Sequence, residues 1–127
     1  MKRQAGGKIL RSAFSLDRRG REAEAIPLYR QALRLGLKPS DRRDAMICLG
    51  SSLRNVGQLQ SSLRCLRNAS RQFPDDPVIA LFMALVHHDL GQKTTALRLA
   101  AKACLNQNNQ RRLRPYRDVL LRKCRQL

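Results

Sequence analysis

Few residues in this 127-residue sequence could do chemistry, and they are scattered. The two histidines, His87 and His88, are adjacent, and the neighbouring Asp89 is the one acid near them at a useful spacing. The four cysteines are far apart and form no C-x-x-C pair, which argues against zinc binding. Gly6-Gly7-Lys8 resembles part of a phosphate-binding loop but lacks the preceding strand and first glycine. Because no nucleophile has an activating partner, the sequence predicts no enzyme, no metal and no cofactor.

The sequence also has a large excess of positively charged residues. Lys and Arg number 26 against 9 Asp and Glu, for a net charge of +17, which attracts anions such as nucleic acid or acidic proteins. Seven basic residues recur at spacings of three and four: Arg30, Arg34, Arg64, Arg67, Arg71, Arg98 and Lys102. They are either a solvated face or a site for RNA, DNA or another polyanion. Because aromatic residues are only 4%, contacts to nucleic acid would be to phosphates and largely independent of sequence.

Three glycines mark an internal repeat of helical hairpins. Gly20, Gly57 and Gly91 each follow one helical run and precede another. Gly57 and Gly91 are 34 residues apart, and Gly20 and Gly57 are 37 apart. A glycine at the end of a helix supplies the positive φ that a tight turn needs. We find no convincing strand, so each glycine is predicted to lie at the bend of a hairpin.

The middle unit resembles a known repeat family. Leu49 and Gly50 lie in its first helix, Gly57 at the turn, Ala69 in the second helix and Pro74 at the end. This pattern resembles the 34-residue tetratricopeptide repeat, with leucines replacing the usual aromatics and a serine replacing an alanine. The resemblance implies an all-α fold, a right-handed α-α superhelix (solenoid) of about three hairpins. It divides the single domain 1–127 into repeats at about 6–39, 43–76 and 77–110.

In the tetratricopeptide repeat family, the first helix of each hairpin lines a concave groove that holds a peptide or helix of a partner protein. The resemblance places ten residues in that groove: Leu10, Phe14, Asp17, Ile47, Ser51, Arg54, Val78, Leu81, Leu85 and His88. Most are apolar, which suits the apolar face of a partner helix. The resemblance therefore implies a protein-binding adaptor or scaffold. The alternative is a nucleic-acid-associated protein that uses its basic convex face.

After residue 110 the repeat stops, and an amphipathic capping helix is predicted over about 112–127, starting near Pro115. Its apolar residues are Leu113, Tyr116, Leu120, Cys124 and Leu127. This stripe could cap the solenoid, close the chain's own groove in place of a partner, or form a homodimer surface. The sequence leaves these alternatives open.

The cellular location is predicted from the lack of a membrane span and of a signal peptide in the sequence. No apolar run approaches the ~20 residues of a membrane span, and the first residues do not form a signal peptide. The cysteines lie among apolar helix residues, as small core side chains do in a reducing compartment. We therefore expect a cytoplasmic protein whose partner is another protein.

Overall fold

The computed structural model describes all residues 1–127, and every regular element in it is helical. Three consecutive hairpins are formed by α1 Lys2–Arg18 with α2 Glu22–Leu35, α3 Pro39–Asn55 with α4 Leu59–Gln72, and α5 Pro77–Asp89 with α6 Lys93–Leu105. Each helix packs on its hairpin partner, and α2 and α4 also pack on the helix that follows them. The predicted all-α solenoid is confirmed. None of these helices combines the length and the apolar character needed to cross a membrane.

The hairpin turns repeat one hydrogen-bonding pattern. Gly20, Gly57 and Gly91 have φ of 75°, 86° and 80° and lie between the helices of each pair, as predicted. The N–H of each glycine donates to a carbonyl three residues earlier at 2.9–3.0 Å, and the next N–H donates to a carbonyl five residues earlier at 2.8–2.9 Å. This is the Schellman arrangement, which satisfies the last carbonyls of the first helix. A side chain at these glycines would be strained because of the positive φ.

Close approach of α3 and α4 depends on Gly50. A Cβ atom there would lie 2.6 Å from Cγ of Leu66, which is fully buried. Beside it, the hydroxyl of Ser62 donates to the carbonyl of Gly50 at 2.6 Å. The serine that replaces the alanine of the repeat pattern is therefore a buried but satisfied polar group.

The sequence indicates helix starts at Ser40-Asp41 and at Asp75-Asp76-Pro77, because an Asp side chain can cap a helix and proline suits the first helical position. The carboxylate of Asp76 accepts from the N–H of Val78 at 2.9 Å, and Pro77 begins α5, as expected. At Ser40-Asp41 a helix does begin within one residue, but the predicted Asp cap is wrong. Helix α3 begins at Pro39 without a side-chain cap, because the fixed φ of proline suits the first helical position.

The C-terminal segment is an interrupted helix rather than a continuous one. Short 3-10 turns at Gln107–Asn109 and Arg114–Tyr116 flank α7 Gln110–Leu113, and α8 Arg117–Arg125 follows. Pro115 explains the interruption, because its ring removes a donor and clashes with the preceding turn.

Candidate functional site

The C-terminal segment lies across the concave face of the solenoid. Leu120 is 9% exposed and belongs to a buried cluster with Ile47, Phe82 and Leu85 of the first helices of the second and third hairpins. The ring of Tyr116 meets that of Phe82 edge to face, with 6.2 Å between their centroids. The chain's own helix thus covers part of the groove in which the resemblance placed a partner.

Polar contacts also fix this segment to the groove. Arg112 Nε donates to the carboxylate of Asp76 at 3.1 Å, and the hydroxyl of Tyr116 lies 3.4 Å from Asp44 Oδ1. At the other end, Lys123 Nζ lies 3.5 Å from Asn55 Oδ1. Burial raises the pKa of Tyr116 and lowers the pKa of Lys123. The sequence left three roles open for the C-terminal segment. Where the second and third hairpins form the concave face, this segment itself occupies the groove.

Two of the predicted groove residues belong to the core. Leu10 is 2% exposed and Val78 is fully buried, each inside a cluster of apolar residues between helices. Since these side chains face neighbouring helices, they cannot contact a partner, and their placement in an open groove is corrected. Ile47 is 1% exposed and contributes only to the floor of a cavity.

The N-terminal part of the concave face is a polar cavity of about 470 Å³ between α1, α3 and α8. Three of the predicted groove residues, Phe14, Asp17 and Ser51, line this cavity. The carboxylate of Asp17 has hydrogen-bond partners within the chain, because it accepts from the hydroxyls of Tyr29 at 2.6 Å and Ser52 at 3.4 Å. We call this space the polar cavity.

The predicted groove residue Arg54 forms an ion pair with another residue of the chain. Its Nε pairs with the carboxylate of Asp89 at 2.6 Å and joins the end of α3 to the end of α5. Burial opposes ionisation of Asp89, but the hydrogen bond and charge of Arg54, together with the neighbouring His88, outweigh burial, so the pKa of Asp89 lies below its ordinary value.

The remaining predicted residues, Leu81, Leu85 and His88, line an apolar cleft of about 380 Å³ on the other side of α8. Its other walls come from α6 and from the C-terminal segment: Lys93, Ala96, Leu97, Ala100, Cys104, Leu120, Leu121, Cys124 and Leu127. A second pocket, of about 550 Å³, shares Leu81 and Leu120 and continues the cleft toward Arg114 and Arg117. No acidic residue lines either space. We call this continuous space the apolar cleft.

Sequence reasoning missed Leu97 and Leu121 of the apolar cleft. They are 70% and 46% exposed, which is unusual for leucines that share one cleft. The signal was present in α6, where Leu97 lies beside the inward-facing Ala96 on a second apolar face. Such a face is what remains when a helical array stops and no further hairpin covers it.

The comparison with known families agrees with this geometry. A family model described as Tetratrico peptide repeat matches residues 8–120. The chain belongs to the tetratricopeptide repeat family. Proteins of this family bind other proteins, and the repeat is typically a non-catalytic adaptor fold. No curated protein matches the chain.

The convex face of this tetratricopeptide repeat chain carries the predicted basic residues. Arg30 and Arg34 lie on α2, Arg64, Arg67 and Arg71 on α4, and Arg98 and Lys102 on α6. All seven are exposed, and none is within 4.0 Å of a carboxylate as an ion pair.

His87 and the partly buried cysteines of the repeats have packing roles. His87 is buried and its Nδ1 shares a hydrogen bond of 2.6 Å with the amide oxygen of Gln92. Burial raises the pKa of Cys48 to about 12 and of Cys65 to about 11, so both are thiols at neutral pH. Cys, His, Asp and Glu side chains nowhere gather in threes as metal ligands would.

Proposed function

We propose that this tetratricopeptide repeat chain is a protein-binding adaptor whose apolar cleft holds one amphipathic helix of a partner protein. The observation that carries the proposal is the cleft itself, an apolar surface with leucines on both walls and exclusively basic charges at its edge. A partner helix would place its apolar face between α6 and α8 and its acidic flanks beside the basic residues.

Burial of the exposed leucines would favour binding. Leu97, Leu121 and Leu127 are 70%, 46% and 56% exposed on the walls of the cleft. Covering side chains exposed to this extent is worth roughly 1–2 kcal/mol each before the entropic costs of association. The partner must therefore bring apolar side chains at helical spacing, as the face of an amphipathic helix does.

The basic residues that line the apolar cleft favour a partner helix with acidic side chains. Lys93, Arg114 and Arg117 are the charged residues lining the cleft, so acidic flanks on the partner would be attracted. A second copy of this chain would bring a net charge of +17 to a chain of the same charge, which opposes a homodimer through the C-terminal helix. The occupant we favour is thus an acidic amphipathic helix of another protein.

A designed peptide tests the proposal directly. The probe is a capped helix of about 18 residues with leucines on one face and glutamates beside them, compared with a scrambled peptide of the same composition. Binding is followed by fluorescence anisotropy for the chain, for the double variant Leu97→Glu/Leu121→Glu and for Val56→Glu. Val56 is an exposed apolar residue, 38% exposed, between α3 and α4 and outside the cleft.

We expect at least about tenfold weaker binding by the double variant and little change in Val56→Glu, with unchanged thermal melting of both. Cys104 and Cys124 are exposed thiols on the walls of the cleft, so the bound peptide should protect them from alkylation. Equal binding by both variants, or full reactivity of these thiols in the complex, would refute the cleft as the site. Free thiols at the surface also support the reducing cytoplasm as the location we infer.

A further inference from the structure

The convex face carries basic side chains with no acidic residue among them. Six of the nine carboxylates are engaged by side chains elsewhere: Asp17, Glu22, Glu24, Asp44, Asp76 and Asp89. Neither α4 nor α6 contains an acidic residue, and the acids of α2 lie in its first turn. The seven basic residues of α2, α4 and α6 are therefore not neutralised by the fold.

These residues occupy one layer of the molecule. The helices α2, α4 and α6 are the second helices of successive hairpins, so their outer faces lie on the same side of the solenoid. On α4, Arg64, Arg67 and Arg71 follow each other at spacings of three and four, which places them on one face over about 10 Å. We name the set Arg30, Arg34, Arg64, Arg67, Arg71, Arg98 and Lys102 the basic convex face.

We propose that the basic convex face binds the phosphate backbone of nucleic acid. Six of its seven members are arginines, whose planar guanidinium can bind two phosphate oxygens at once. Beside them α4 exposes uncharged polar side chains, including Gln60 and Asn68, which can donate to phosphate and sugar oxygens. Interfaces with nucleic acid are more polar and more positive than interfaces between proteins.

The composition of the face disfavours an acidic protein or a lipid surface as the partner. A protein interface usually has an apolar centre, and a membrane-bound helix usually inserts apolar side chains. Neither α2 nor α4 exposes a large apolar residue. On α6, Leu97 lies in the apolar cleft, and Leu105, the last residue of the helix, is the one large apolar residue exposed outside it. No aromatic side chain is exposed on this face, since Tyr29 of α2 is fully buried. Recognition is therefore of phosphates, without base stacking and without preference for sequence.

The experiment measures the affinity of the full chain for labelled nucleic acid of mixed sequence at several salt concentrations. A duplex of about 20 base pairs and a single strand of the same length are titrated by fluorescence anisotropy between low and moderate salt. The variant Arg64→Glu/Arg67→Glu/Arg71→Glu is compared with a control of equal charge change, Lys2→Glu/Arg3→Glu/Lys8→Glu, on exposed positions of α1. Circular dichroism checks that both remain folded, and a Gln version of the α4 variant replaces the Glu version if it does not.

We expect the wild-type chain to bind with log K falling linearly with log salt. In the α4 variant that slope should drop by about 2 to 3, as for the loss of three phosphate contacts, and affinity should fall at least about tenfold more than in the control. Equal losses in both variants would reveal attraction by net charge alone and overturn the assignment to this face. Absence of binding at low salt would overturn it too, as would binding to vesicles rich in phosphatidylserine but not to nucleic acid. The result is independent of the peptide experiment, because neither variant alters the apolar cleft.

Discussion

Helix α8 faces two surfaces of different character. Toward α1 and α3 it borders the polar cavity, where Asp17 is bonded to Tyr29 and Lys123 of α8 approaches Asn55. Toward α5 and α6 it borders the apolar cleft, where Leu97 and Leu121 remain exposed and no acid balances the basic residues. On the first side Asp17, Glu22, Asn55 and Lys123 find partners within the chain, whereas the apolar surface of the second side does not.

This difference indicates what the C-terminal segment contributes. By inserting Leu120 into the core it covers apolar residues of the second and third hairpins. The adjacent Leu121 then points into a cleft that would not exist without α8. One short helix therefore closes part of the groove and forms one wall of a new one, which is why we place the partner in the apolar cleft and not in the polar cavity.

Thiol reactivity provides the largest contrast between the two sides. Cys48 lines the polar cavity and its pKa is raised to about 12, chiefly by burial and also by Asp17, whereas Cys104 and Cys124 are exposed in the apolar cleft. With a thiol-reactive chromogenic disulfide at pH 8, we expect Cys104 and Cys124 to react rapidly and Cys48 roughly 1000-fold more slowly. Cys65, with a pKa of about 11, should also be slow. Four equally fast thiols would contradict the burial on the polar side.

The next largest effect should come from detaching α8. Replacing Leu120 by Asp puts a carboxylate into an apolar cluster and should lower the free energy of unfolding by at least about 3 kcal/mol. The matched control is Leu121→Asp, one residue later and 46% exposed, which should change stability by less than about 0.5 kcal/mol. Urea denaturation measures both. Faster tryptic cleavage after Arg117 in Leu120→Asp alone would locate the damage at α8, and equal destabilisation by the two variants would refute its packing.

Sequence patterns predicted the hairpins well because the turns depend on local chemistry. Gly57 and Gly91 lie where a positive φ is required, and the helix start at Asp76 follows from a single hydrogen bond. The groove was harder, because an apolar residue such as Leu10 or Val78 can face either the groove or the next helix with the same spacing. The residues that set this choice come from other hairpins.

The apolar cleft could not be predicted from any one segment. Leu97 and Leu121 are 24 positions apart in the sequence. They line the same cleft because α8 folds back over α5 and α6. The direction of that return is decided by contacts such as Leu120 with Phe82 and Arg112 with Asp76, which no local periodicity encodes. The pattern did indicate that residues 112–127 are amphipathic, but not which surfaces they separate.

Two tyrosine hydroxyls allow a smaller test of the polar side. Tyr29→Phe removes the donor at 2.6 Å from Asp17 and leaves that half-buried carboxylate with Ser52 alone at 3.4 Å. We expect a loss of about 1–2 kcal/mol by urea denaturation. Tyr116→Phe removes a hydroxyl that lies 3.4 Å from Asp44, a longer and weaker bond, and should cost less than about 0.5 kcal/mol. If Tyr116→Phe proved the more damaging of the two, the order of these contacts would be wrong.

The ion pair between Arg54 and Asp89 should give the smallest effect, visible as a dependence of stability on pH. The pKa of Asp89 in the folded chain lies below its ordinary value of 3.8, because Arg54 and His88 together outweigh the opposing effect of burial. The pair therefore stabilises the fold above about pH 4 and loses its contribution as pH falls through the lowered pKa. The carboxylate is a quarter exposed, so the contribution should be below about 1 kcal/mol.

Urea denaturation of Asp89→Asn and the parent chain between pH 6 and pH 2.5 should give curves that converge at low pH. Asp118→Asn, at an exposed carboxylate of α8 without an ion pair, should stay parallel to the parent throughout. A gap for Asp89→Asn that widens on acidification would mean that Arg54 does not stabilise the carboxylate and that the ion pair does not strengthen the contact between α3 and α5.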